Sequence, residues 1–324
     1  MSETDDTSRP PLITIGVTCY NAEDTIARAV ESARSQDWPK LEIVVVDDCS
    51  GDRSLEVVER IAAADARVRP IRHETNRGAG ASRQTLLDNA RGDYLAFFDD
   101  DDASRPHRVS VQYRRLLQYA EANGVDRCAC YASGERIYDS GYRLSVTAIG
   151  SQPRVPVGVE VVDYLLYNRR VSGVFYGAGT PACALMASTE TFRSAGGFDP
   201  RFRRVEDVDF AVRLGLAGGH FIGCPEPLYT QYATVAPDKS ARRNYDAEIQ
   251  LLEKHRDYLE GRNRYNFARN WFAVRYHHFN GERARMIAAL ARSFWGNPLL
   301  VMRQLVTTVP ARAEHERRVA RGVK

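Results

Sequence analysis

The sequence predicts an α/β chain: a mostly parallel central sheet flanked by helices, followed by a C-terminal helical extension. Three observations lead there. Over the first hundred residues, short apolar runs alternate with stretches of helical periodicity. Those runs are apolar almost throughout, as strands covered on both faces are. After about residue 240 only helical patterns remain.

The elements follow in order. Residues 12–18, LITIGVT, and 41–46, LEIVVV, are β-branched runs. Between them Ile26, Ala29, Val30 and Ala33 recur at helical spacing, which makes a strand–helix–strand unit. A second helix is expected through SLEVVERIAAA (54–64), a weak strand over 68–72, a helix over 79–91 ended by Gly92, and a strand at YLAFF (94–98). Ser104 is expected to cap a helix, with Pro106 in its first turn, that runs to Asn123. RCACYASGERIY (127–138) reads as a strand, 140–157 as a loop, GVEVVDYLLYN (158–168) as a helix, ACALMAS (182–188) as a strand, and RVEDVDFAVRLGLAGG (204–219) as a helix.

Bulk composition excludes little. The net charge of +3 names no partner, and no nucleic-acid ligand is expected. Charge is unevenly spread, since residues 281–324 hold nine Lys or Arg against three Glu. Six cysteines without paired spacing are expected to be reduced, mostly buried thiols, the habit of a cytosolic protein. MSETDDTSRPP is polar and acidic rather than a signal peptide, and residues 1–11 are expected to be a disordered tail. No apolar run is long enough to span a bilayer.

Chemistry gathers at the strand ends. Open parallel sheets bind ligands beyond the carboxyl ends of their strands. Asp47 and Asp48 end one strand, and Asp99, Asp100, Asp101 and Asp102 end another. A lone acidic run is most simply a solvated turn. Two such clusters on one ligand edge call instead for a cation, and carboxylate oxygens suit Mg²⁺ or Mn²⁺.

ITIGVTCYNAEDTIARAVESARSQDWPKLEIVVVDDCSGDRS, NRGAGASRQTLLDNARGDYLAFFDDDD and GGFDPRFRRVEDVDFAVRLGLAGGHFIGCPEPL stand in order over 12–232. Together they resemble the family 2 glycosyltransferases, which implies a GT-A fold and inverting transfer of a sugar from a nucleotide-activated donor. The resemblance divides the chain into a catalytic domain at 12–240 and a helical extension at 241–324. Residues 12–102 would be its nucleotide-binding half and 103–240 its acceptor-binding half. It implies that Thr18, Tyr20 and Asp48 surround a base such as uracil, and that Arg83 approaches the phosphates. Asp99 and Asp101 would be the ends of an Asp-x-Asp motif, with Asp101 on the metal, Asp99 near the ribose and Asp102 the alternative ligand. Asp100 would turn away. Asp207 would be the catalytic base with Glu206 beside it, while Asp209 would only cap the helix. The chain departs from the family at Gln84, where Asn is frequent, and near Tyr232, where a histidine is expected.

The implied acceptor is a glycan or a lipid-linked glycan of a surface polysaccharide or glycoconjugate, extended from the cytoplasmic side. A sugar-nucleotide nucleotidyltransferase is the alternative enzyme, but TCYNAED lacks its Gly-rich basic loop after the first strand. A catalytically inactive nucleotide-sugar or glycan-binding protein is the non-enzymatic alternative, against which Asp207 speaks. In the tail, RARMIAALARSFW (283–295) sets Met286, Ile287, Leu290, Ala291 and Phe294 on one stripe flanked by arginines. Two fates suit it: packing on the catalytic domain, or peripheral contact with an anionic membrane.

Overall fold

The computed structural model describes residues 9–233 and 240–306. Strands β1 (Ile13–Cys19), β2 (Leu41–Asp47), β3 (Val68–Arg72) and β4 (Tyr94–Asp99) lie parallel in the spatial order β3-β2-β1-β4. Helices α1 (Ile26–Arg34), α2 (Ser54–Ala64) and α3 (Ala79–Asn89) are the crossovers. Ile26, Ala29, Val30 and Ala33 are buried on α1, as their spacing predicts. Nearly every residue of β1 and β2 is buried, because helices cover both sheet faces.

Beyond β4 the sheet becomes mixed. It continues through β8 (Leu185–Ser188), β6 (Cys128–Ile137), β9 (His220–Tyr232) and the two-residue β5 (Ala103–Ser104), with β7 (Arg143–Val146) hairpinned onto β6. β8 runs antiparallel to both β4 and β6, whereas β9 runs parallel to β6. Two local expectations change here, and one strand goes unread. Ser104 does not cap a helix: its backbone pairs with Tyr229, and α4 (Arg108–Asn123) begins four residues later. The 140–157 segment is not wholly loop, since β7 lies within it. β9 has no clear alternation because Pro225 and Pro227 interrupt it, and the register with β6 shifts there.

Helices α5 (Val159–Tyr167), α6 (Thr189–Ser194) and α7 (Glu206–Leu216) complete the flanking layers. The main core fills both sides of the sheet. A second apolar cluster joins Val162 and Leu166 of α5 and Val212 of α7 to Leu251, Leu252, Phe267, Ala268 and Trp271. The latter belong to α8 (Ala241–Lys254) and α10 (Tyr265–Phe279), which α9 (Arg256–Glu260) connects. α11 (Arg283–Gly296) packs along α10, and 298–306 is again helical. Asp209 therefore does more than cap α7. Fully buried, it accepts from Arg213, Lys254 and His255 and ties α7 to α8.

Residues 1–8 of the expected tail, Lys239 and residues 307–324 lie outside the described residues. Pro11 is held in place, its carbonyl accepting from the Trp38 indole at 2.9 Å. All six cysteines are free, and all but Cys49 are buried.

Candidate active site

The ends of β1, β2 and β4 form one edge. Register sets Thr18 opposite Asp99 and Cys19 opposite Asp47. Tyr20 follows directly; its amide donates to Asp100 Oδ2 at 2.9 Å, while its ring is 49% exposed and free to stack. Asp100 is therefore not turned away: its carboxylate fixes the Tyr20 turn.

Asp48 is buried among donors. Oδ1 accepts from His73 Nδ1 (2.7 Å) and the Arg77 amide (2.8 Å), and Oδ2 from the Gly78 amide (2.7 Å). Three of its roughly four acceptor directions are occupied. Asp47 Oδ2 accepts from the Ser50 amide at 3.1 Å, which orients the turn after β2.

The four aspartates at β4 have separate environments. Asp99 accepts from Arg83 Nη2 at 3.1 Å. The carbonyl of Asp101 accepts from Arg28 Nη2 at 2.6 Å, and the same guanidinium lies 4.1 Å over the Tyr232 ring. Asp102 is 6% exposed, and neither carboxylate oxygen has a well-formed hydrogen bond. Ligand atoms of Asp99, Asp102 and Cys183 lie within 4.8 Å of one another. Burial, then the charges of Asp99 and Asp101, push Asp102 up to about 8. Burial likewise raises Asp100 to about 7. Arg108, buried nearby, pulls Asp102 down without reversing the rise. Its guanidinium donates to Gln112, Ser104 and the Phe97 carbonyl and stacks on Phe98. Two unpartnered buried oxygens beside a second carboxylate fit a divalent cation. Asp102 and Asp99 would hold it, and Cys183 is within reach.

Arg83 joins this cluster to α7. Its guanidinium pairs with Glu206 and Asp99, and both Arg83 and Glu206 are buried. Glu206 is thereby committed to Arg83 and does not stand open beside Asp207. Asp207 itself is half-buried at the start of α7, where Oδ1 accepts from the Val208 amide at 2.8 Å. Burial raises its pKa above the ordinary carboxyl value, against the pull of Arg83. The residue before this pair, Val205, has φ 57°. Cys49, after Asp48, has φ 61°. A left-handed valine is costly, about 1–3 kcal/mol, and such outliers gather at functional sites.

The glycines around the site have distinct reasons. A Cβ on Gly80 would stand 2.4 Å from the Phe202 carbonyl oxygen, so α3 approaches the 199–202 turn only as glycine. Gly197, at φ 61°, lies against Gln84, whose Oε1 accepts from the Phe198 amide at 2.7 Å. Gln84 thus has a structural use here: it anchors the turn before α7.

Three site residues carry no signal in the sequence. Cys183 is a lone cysteine in a short 3₁₀ turn (Ala182–Ala184). Arg108 looks like any helix-start arginine. Tyr131, in β6, has a buried hydroxyl without a partner and feels the charge of Asp207. Only tertiary contact distinguishes them. Arg242 of α8 is paired with Asp246 at 2.9 Å, which leaves it committed to its own helix.

Comparison with known proteins agrees with this geometry. The profile of the family described as "Glycosyl transferase family 2" matches residues 14–172. The succinoglycan biosynthesis protein ExoO of Rhizobium meliloti is 44% identical over 115 residues, 36% of this chain and 31% of ExoO. The chain thus spans about a third of that relative. An uncharacterized glycosyltransferase of Haemophilus influenzae is 29% identical over 226 residues, 70% of this chain and 66% of the relative. Among solved structures, S. aureus TarS 1-349 in complex with UDP-GlcNAc superposes with a TM-score of 0.60 at 20% identity. It covers 90% of this chain and 82% of its own, and at that identity it speaks for the fold. The ordered motifs, the sheet and the family match agree: residues 14–172 belong to glycosyl transferase family 2, and the fold is of the GT-A type.

Proposed function

We propose that the protein transfers a sugar, with inversion, from a UDP-sugar to a glycan or lipid-linked acceptor in polysaccharide biosynthesis. The observation that carries this is the buried, unpartnered carboxylate of Asp102 beside Asp99, on the sheet edge that Arg83 links to α7. The name of ExoO and the UDP-GlcNAc bound by TarS support the pathway class and the donor. Free cysteines and a nucleotide-sugar donor favour the cytoplasmic side.

In this reading Tyr20 stacks on the base, Thr18 borders it, and Asp48 uses its remaining acceptor direction on an imide N–H. Asp99 and Asp102 hold Mg²⁺ or Mn²⁺, with Asp101 the further candidate ligand. When bound, the cation neutralises charge on the departing diphosphate. Arg83 holds Asp99 in place and adds positive charge near the phosphates. Asp207 takes the proton of the acceptor hydroxyl as that oxygen bonds to the anomeric carbon. The bond from the anomeric carbon to the diphosphate oxygen breaks, and UDP departs with the electron pair. The raised pKa of Asp207 makes its carboxylate a stronger base than an exposed one. Glu206 acts only through Arg83, as a positioning residue.

A screen of UDP-sugars for UDP release, with and without EDTA, on wild type and Asp207→Asn tests the reading. Release should need both the cation and Asp207. Activity that survives EDTA and the substitution together would overturn it.

A further inference from the structure

We infer that α11 and the helical stretch after it form a docking surface for an anionic phospholipid membrane. The two packing possibilities left by the sequence turn out not to exclude each other. α11 rests on α10, but through its small and intermediate residues: Ala289 and Ser293 are buried, while Met286 and Leu290 are half-buried. Its larger apolar residues point the other way. Ile287, Phe294 and Trp295 are exposed, Trp295 by 84%. The next stretch repeats the arrangement. Val301 and Gln304 are buried, with Gln304 donating to the Tyr167 carbonyl, while Leu299, Met302 and Val306 are exposed. Of the eleven exposed large apolar side chains among the described residues, six fall within residues 287–306. Scattered exposed apolar residues need no explanation, but a contiguous face does.

The charge pattern selects the occupant. At 100° per residue, Ile287, Ala288, Ala291, Phe294 and Trp295 share one arc of α11. Arg283 borders it on one side, and Arg285 and Arg292 on the other, all exposed. An apolar face with cationic margins and an aromatic residue at one end matches the interfacial zone of an anionic bilayer. The alternative of spanning fails, since no helix among the described residues is long and apolar enough to cross a membrane. The surface is also held rigidly. The second apolar cluster fixes α10 to α5 and α7, and Arg303 donates to the Arg170 carbonyl. A membrane-bound enzyme would present its active-site edge at a set orientation to a lipid-linked acceptor.

Trp295 reports directly on this surface. The chain has three tryptophans; Trp271 is buried and Trp38 is half-buried and hydrogen-bonded. The full-length chain would be mixed with phosphatidylcholine vesicles that contain or lack phosphatidylglycerol, then followed by flotation and tryptophan emission. Binding to anionic vesicles is expected to blue-shift the emission and to allow quenching by brominated acyl chains. Ile287→Ser with Trp295→Ser should reduce the floated fraction about tenfold, as should Arg283→Gln with Arg285→Gln and Arg292→Gln at low salt. Unchanged melting temperatures of these surface variants would show that the fold is intact. Equal flotation of wild type and the apolar variant, or no emission change with anionic vesicles, would overturn the inference. So would a wild-type dimer that Ile287→Ser with Trp295→Ser converts to monomer, because the face would then be covered by a second copy. None of these outcomes touches the proposed transfer reaction.

Discussion

Two acidic strand ends share one edge of the sheet and behave oppositely. At the end of β2, Asp48 meets three donors from His73, Arg77 and Gly78. At the end of β4, Asp102 is just as buried and meets none of good geometry. Both are aspartates after an apolar strand. One is largely taken up by its own loop, which it shapes, and keeps a single acceptor direction. The other lies beside Asp99 and Cys183 with no hydrogen bond of good geometry. The same contrast recurs on α7: Asp209 accepts from the side chains of Arg213, Lys254 and His255, whereas the acceptor contacts of Asp207 are with the backbone amides of Val208 and Ala182.

The contrast can be broken or sharpened in several ways. The largest effect is expected from Asp207→Asn. It should lower the turnover rate by about 10²–10⁴, as loss of a general base does, and leave the melting temperature unchanged. Steady-state UDP release and calorimetry would check the two halves. Asp209→Ala should do the reverse, because it strands Arg213 and Lys254 beside His255. Urea denaturation should show a loss of about 3–5 kcal/mol. Asp48→Ala removes three acceptor contacts, and the same measurement should show about 2–4 kcal/mol.

Smaller effects concern Asp102. Mn²⁺ should raise the wild-type melting temperature by a few degrees, about what binding well above Kd yields. Asp102→Asn should abolish that rise without destabilising the cation-free protein. The smallest effect is on pH. A carboxyl raised in the folded state binds more protons folded than unfolded, so its stabilising contribution falls as pH rises. For Asp100 and Asp102 the window runs from the ordinary 3.8 up to about 7 and about 8. Cation-free protein should therefore melt lower at pH 8 than at pH 5, and Mn²⁺ should flatten the difference. A melting temperature that rises over that interval without cation would show that these carboxyls are ionised throughout.

Much of residues 12–102 was legible beforehand. β1, β2 and β4 read as nearly continuous apolar runs and α1 as one apolar face because all are buried in a sheet covered on both sides. The second half was harder to read. β5 and β9 exist through pairing between residues 92 to 127 positions apart, and prolines break the alternation of β9. Among site residues, motif order pointed to the run Asp99 to Asp102, with Asp101 ahead of Asp102 as the expected metal ligand, and to Asp207. It could not show that Arg83 binds Glu206, or that Asp100 holds the Tyr20 amide.

From the sequence alone came the family, the alternating architecture and the edge on which the acids gather. These depend on composition and spacing along the chain, which local physics constrains strongly. Tertiary structure decided which acids are spent and which are open. A carboxylate's state depends on donors from distant segments: His73 and Gly78 for Asp48, Lys254 and His255 for Asp209, and none of good geometry for Asp102. It also decided which face of α11 is covered, because α10 takes up the small residues and leaves the large ones outside.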